Sequence, residues 1–287
     1  MAAPIFLIRR DIAILVMVHS FGGCTAEQVA RRRFSTLKGL RVCYRRLAKL
    51  INQGYLSCRR LPAMTGVGSG KNFLTVTPRG RLIAAAVEGI SVSDLTRSRT
   101  NAPRFIEHHL AIGDTRIAFE QAAERSPLFS MLEWRGDRQL FIRVDAEEAD
   151  PGRNLAPDSS FILALANGGS QMFYLEQDTG SLTNRSRMRA RLHGYLVSAR
   201  TSHVPVLFVT TTNERLTALA ELVVDAAKLE ALSPQVVWLT TTERLALNDA
   251  LHGRVWQVVG VSELQAIADA LRNPLAGPHA TQRGLSS

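Results

Sequence analysis

TLKGLRVCYRRLAKLINQG, residues 36–54, is the stretch on which the reading of this chain turns. At 100° per residue, Leu40, Cys43, Leu47, Leu50 and Ile51 fall within a sector about 100° wide, and Lys38, Arg41, Arg45 and Lys49 lie opposite. That separation predicts a helix over about 36–53 that packs by one stripe and turns a row of cations outward, as a recognition helix in a major groove must. Gly54 stops it.

Toward the N-terminus, a helix is expected from about Arg9 to His19, ended by Phe21-Gly22-Gly23. Thr25-Ala-Glu-Gln28 has the spacing of a capping box and opens a short helix to about Arg32. Toward the C-terminus, Tyr55–Arg60 and Asn72–Thr77 read as two strands around a polar, glycine-rich tip, Thr65–Lys71. Thr77-Pro78 begins a further helix, with Ile83–Val87 expected to face inward. Three helices, two strands and a helix in that order are the plan of a winged helix-turn-helix, assigned to residues 1–88.

The charge agrees. Residues 1–88 carry 15 Lys/Arg against three acids (Asp11, Glu27, Glu88), whereas the remainder carries 20 basic and 22 acidic residues. All of the net +10 is therefore N-terminal. Such a footprint points to a polyanion, since each neutralised phosphate releases condensed counterions. Arginine outnumbers lysine 31 to 4, a bias that explains the choice of cation and not its uneven placement. Lys38, Arg41, Arg45, Arg46 and Lys49, with Lys71 in the hairpin, are the expected contacts to double-stranded DNA.

At 46% apolar residues and a mean hydropathy of 0.00 the chain has enough core for two domains. A membrane span is excluded, because no run of 18 uncharged apolar residues occurs, and no secretory signal is found. Cys24, Cys43 and Cys58 are odd in number and lack CxxC spacing, so they are read as small core residues of a cytoplasmic protein. Residues 89–104 form a polar linker ahead of a second domain, residues 105–272, and a disordered tail is expected over 273–287.

In that second domain a helix over about Phe105–Glu124 precedes strand candidates Met131–Arg135, Gln139–Val144, Ser160–Leu165 and Gln171–Glu176. A helix over Asn184–Ala199 leads to Val204–Thr210, an apolar run typical of a strand buried on both faces. Helix Glu214–Leu229 and strands Gln235–Thr240 and Arg254–Val259 follow, giving an α/β sandwich. If the strands flanking Asn167-Gly168-Gly169 pair as a hairpin, Asp158 and Glu176 meet at one end of the sheet. Two carboxylates there suit Mg²⁺ or Mn²⁺, which could polarise a phosphodiester. The bland alternative is a pair of strand-end acids bridged to Arg187 or Arg191.

His108-His109-Leu110-Ala111-Ile112 with Asp114 and Arg116, Pro157-Asp158 with Phe161, Phe173 to Gly180, Arg191 with Tyr195, and Val206 to Thr210 together resemble the replication-relaxation family over about Arg10–Leu245. The resemblance implies a DNA-binding N-terminal domain and a C-terminal α/β/α domain of the restriction-endonuclease-like PD-(D/E)xK fold. It implies a role in plasmid replication, DNA relaxation or mobilisation, with replication or conjugation proteins as further partners and a homodimer allowed. Carried over residue by residue, Asp158, Glu176 and Arg191 take catalytic places, and Asp158, Glu176 and Asp178 the places of metal ligands.

This chain departs from that pattern, because no lysine lies between Lys71 and Lys228. Asp178 and Arg191 occupy the two places open to the nuclease lysine, and arginine cannot act as a general base. A metal-dependent nickase using Asp158 and Glu176 is thus one alternative, and a winged-helix transcription regulator another. Asp178 before Thr179-Gly180 is equally a turn residue, Glu133 an upstream acid, and His108 with Asp114 a structural pair. Tyr195 would be a relaxase-type nucleophile only if it bonded DNA covalently.

Overall fold

The structure, a computed structural model, describes residues 6–34, 37–61, 70–89, 103–136, 142–143, 154–180, 185–229 and 231–272. Among these the chain is mixed α/β and divides into two compact units, Met1–Ile117 and Ala118–Ser287. The division falls further along than the 89–104 stretch, because the first part of a long helix belongs with the N-terminal core. Residues 90–102 of the expected linker, the hairpin tip through Ser69, Gln139–Phe141 and the 273–287 tail lie outside the described residues.

In the first unit, α1 (Arg9–Ser20) is followed by a two-residue strand, β1 (Cys24–Thr25), and by α2 (Ala26–Arg33). The capping box forms as its spacing requires: Gln28 N donates to Thr25 Oγ1 (3.2 Å) and Thr25 N to Gln28 Oε1 (3.0 Å). α3 (Leu37–Asn52) ends where Gly54 takes up φ +70°, a left-handed turn that a Cβ would strain. β2 (Leu56–Arg60) and β3 (Asn72–Val76) pair antiparallel from Leu56↔Val76 to Arg60↔Asn72, and β1 adds to β3 to make a three-stranded sheet. α4 (Pro78–Glu88) is capped by Thr77 and approaches the chain so closely at Gly80 that a Cβ would sit 2.1 Å from Tyr55 O.

The core of this unit joins Ile14, Leu15 and Val18 to Val29, Cys43, Leu47, Leu50 and Leu74. Three expectations fail here. Leu40 is 44% exposed, since the buried stripe of α3 begins one turn later at Cys43. Cys58 is exposed, because β2 buries only Leu56, and of α4 the core takes Ala84 and Ala85 while Val87 faces out.

In the second unit, the end of α5 (Pro103–Arg125) is followed by β4 (Phe129–Gly136), the short pair β5 (Ile142–Arg143) and β6 (Asn154–Leu155), β7 (Ser159–Leu165) and β8 (Ser170–Asp178). Then come α6 (Arg185–Ser202), β9 (Val206–Thr210), α7 (Asn213–Leu229), β10 (Val237–Thr241), α8 (Thr242–Leu247), β11 (Trp256–Val258), β12 (Leu264–Gln265) and α9 (Ile267–Arg272). Seven strands form one sheet in the order β12-β11-β10-β9-β8-β7-β4, with β8, β9 and β10 parallel. β9 and β10 are buried at every position, as apolar runs covered on both faces must be. On one face, α6 and α7 bring Leu192, Tyr195 and Leu219 against Tyr174, Phe208 and Leu239. On the other, Phe119 of α5 and Ile267 of α9 join Phe161, Phe173 and Trp256.

Candidate functional site

Arg41, Arg45 and Lys49 are exposed on the side of α3 roughly opposite the buried Cys43, Leu47 and Leu50. Among the described residues, none of the three enters an ion pair. Lys71 is exposed at the base of the hairpin, where its carbonyl accepts from Leu61 N at 2.9 Å. Lys38 lies in α3, and its side chain is outside the described residues.

Arg46 behaves differently. Its Nε and Nη2 donate to the two oxygens of Asp11, whose side chain is fully buried and which also accepts from Ile8 N (2.8 Å) at the start of α1. The guanidinium therefore ties α3 to α1 and is not one of the outward cations. An isolated acid inside a basic unit is the signal in the sequence that could have revealed this.

The family-like stretch in α5 is explained by contacts within the first unit. Gln28 Nε2 donates to Leu110 O and to Asp114 Oδ1, both at 2.8 Å, and Arg31 pairs with the same carboxylate. His109 Nε2 lies 3.0 Å from Gly23 O, and Arg116 donates to Ser20 O (3.2 Å) while its guanidinium stacks over Phe21. Asp114, expected beside His108, is thus bound by α2.

In the second unit the β7–β8 register, Ser159↔Leu175 and Ser160↔Tyr174, continues to place Asp158 across from Glu176. Gln177 N donates to Asp158 Oδ2 at 2.8 Å. Side chains two apart on a strand share a face, so Tyr174, Glu176 and Asp178 all point toward α6 and α7. Glu176 is buried, receives the Tyr195 hydroxyl and lies 2.6 Å from Arg191 Nη2, which also donates to Ala156 O (2.8 Å). Burial first, and then the Asp158 charge, hold the Glu176 carboxyl well above the ordinary carboxylate range, although Arg191 and Tyr195 pull the other way. Burial likewise raises the Tyr195 phenol, which is 1% exposed and offers no approach to a phosphodiester.

Asp178 has other partners. Arg215 of α7 holds it through Nε–Oδ2 (2.6 Å) and Nη2–Oδ1 (3.3 Å), and Gly180 N donates to Oδ1 at 3.2 Å in a turn. Glu133 pairs with Arg135 on β4 at 2.6 Å. Among the described residues, no three His, Cys, Asp or Glu side chains are grouped so as to hold a metal ion. Asp158 already accepts from Gln177 N, and Glu176 is engaged by Arg191 and the Tyr195 hydroxyl, so no step through Mg²⁺ or Mn²⁺ follows from these two carboxyl groups. Among the described residues no helix is long and apolar enough to cross a membrane.

A family model described as replication-relaxation matches residues 15–205. The matched span ends before Val206–Thr210, short of the Leu245 limit read from the sequence. No curated protein and no solved structure matches the chain.

Proposed function

The chain belongs to the replication-relaxation family, and from that premise we propose that it binds double-stranded DNA through a winged helix-turn-helix in its first unit. In this reading it serves the replication, relaxation or mobilisation of a plasmid or another mobile element. The observation that carries the reading is the exposed row Arg41, Arg45 and Lys49 on α3, opposite that helix's buried stripe. A 16-residue helix is about 24 Å long, and the roughly 12 Å major groove admits it. β2 and β3 supply the hairpin of a wing, with Lys71 at its base on a neighbouring phosphate.

Fluorescence anisotropy with a labelled duplex tests this. Affinity should fall steeply with salt, and Arg41→Glu with Arg45→Glu should weaken binding at least about tenfold and flatten the salt slope by about two. A double variant that binds as the wild type does would refute the proposal.

For the second unit we propose assembly with replication or transfer proteins in preference to strand cleavage. Arg191 lies 2.6 Å from Glu176 where the nuclease pattern wants a lysine, and Arg215 engages Asp178. Purified protein should leave supercoiled plasmid intact in Mg²⁺ or Mn²⁺. Nicking that disappears in Glu176→Ala would overturn that part of the reading and make the second unit a nuclease.

A further inference from the structure

We infer that α6 of the second unit is an additional contact for the phosphodiester backbone of DNA. This rests on the DNA-binding reading above but uses different residues. The sequence of α6, RSRMRARLHGYLVSARTS, contains five arginines and no acid over 18 residues. Arg191 is turned inward to Glu176 and Ala156 O. Arg185, Arg189 and Arg200 are exposed, and at 100° per residue they fall with the half-buried His193 on one flank of the helix about 80° wide. That flank overlaps the edge of the face on which Met188, Leu192, Tyr195 and Leu196 are buried, with Leu196 between Arg185 and Arg189, while both arginines remain exposed.

Local energetics disfavour this arrangement. Arg185, Arg187 and Arg189 sit in the first turns of α6, where the helix macrodipole opposes positive charge, and that first turn has no acid to offset them. Arg185 and Arg189 are also four residues apart, a spacing at which like charges repel. Among the described residues neither of these two is in an ion pair. A polyanion lying along the helix removes both penalties. From Arg185 to Arg200 the row runs about 22 Å. That length matches about six phosphates of one strand at about 3.4 Å of duplex axis each. An arginine-rich composition explains why these cations are not lysines, but not why 18 residues hold no acid.

The test uses the full chain and a 40-base-pair duplex of arbitrary sequence, with Arg185→Gln, Arg189→Gln and Arg200→Gln combined. Each phosphate contact contributes about 0.9 to the slope of log affinity against log salt, so the triple variant should be shallower by about two to three. Its affinity at low salt should fall at least about tenfold, with a melting temperature no lower than wild type. An unchanged slope and affinity overturns the inference, as does competition by polyglutamate equal to that by duplex, which would assign the surface to an acidic protein. The α3 variant Arg41→Glu/Arg45→Glu separates the two readings. Loss in the α6 variant alone leaves this inference standing and removes the winged-helix reading; loss in the α3 variant alone does the reverse.

Discussion

Arg46 meets Asp11 with two nitrogens of one guanidinium, one on each carboxylate oxygen, and so fastens α3 to the first turn of α1. The Asp11 side chain has no solvent exposure and that of Arg46 keeps 19%. Removing the cation strands a buried charge, which is costlier than never having had the pair. Arg46→Met should therefore destabilise the protein by about 2–3 kcal/mol, at the low end for such pairs because Arg46 retains some water. Asp11→Asn combined with Arg46→Met should recover much of the loss in chemical denaturation. Equal stability of Arg46→Met and wild type would show that the pair does not form.

Gln28 presents a second test of the first unit. It closes the capping box with Thr25 and reaches Leu110 O and Asp114 from a buried position. Gln28→Ala strands Thr25 N and Leu110 O together, so a loss of about 2–3 kcal/mol is expected in denaturation followed by far-ultraviolet circular dichroism. Gln28→Glu should do at least as much harm, because it sets a carboxylate against a carbonyl and the Asp114 carboxylate. A neutral outcome for both variants would detach α5 from α2.

Legibility in the sequence followed the range of the interaction. The capping box and the end of α3 were readable because Thr25, Gln28 and Gly54 act within one turn. The hairpin that opposes Asp158 to Glu176 was readable because Asn167-Gly168-Gly169 fixes its turn, with Gly168 at φ +89°. The two residues of β1, Cys24 and Thr25, carry no period in the sequence, nor do the two of β12, and the six each of α8 and α9 span less than two helical turns. The partners of the charged residues were hidden for another reason. Arg215 reaches Asp178 across 37 positions and Arg46 reaches Asp11 across 35, and only the fold brings such pairs together.

Thiol reactivity checks the placement of the α3 stripe. Cys24 and Cys43 are buried and Cys58 is exposed on β2. Burial pushes the Cys43 thiol up to about 11 and raises Cys24 further, so neither offers appreciable thiolate near neutrality. A disulfide-exchange reagent at pH 8 should titrate one thiol per chain quickly in the native protein and all three in denaturant. Two fast thiols would mean that Cys43, and the face of α3 it marks, is open to solvent.

Glu176 makes stability depend on pH in a direction that can be reasoned out. Burial, aided by the facing Asp158, raises its carboxyl in the folded chain above its value in the unfolded one. Folding therefore favours the protonated form. The stability this group contributes is complete below the ordinary carboxylate value near 4.3 and is lost as pH climbs through the raised folded value. Glu176→Gln stays neutral and can still accept from the Tyr195 hydroxyl, so it should not suffer that loss. Its melting temperature relative to wild type should rise as pH climbs above the unfolded value near 4.3 and level off once pH has passed the raised folded value. A difference that stays flat with pH would mean that Glu176 is ionised throughout and that the Arg191 pair, not burial, governs its charge.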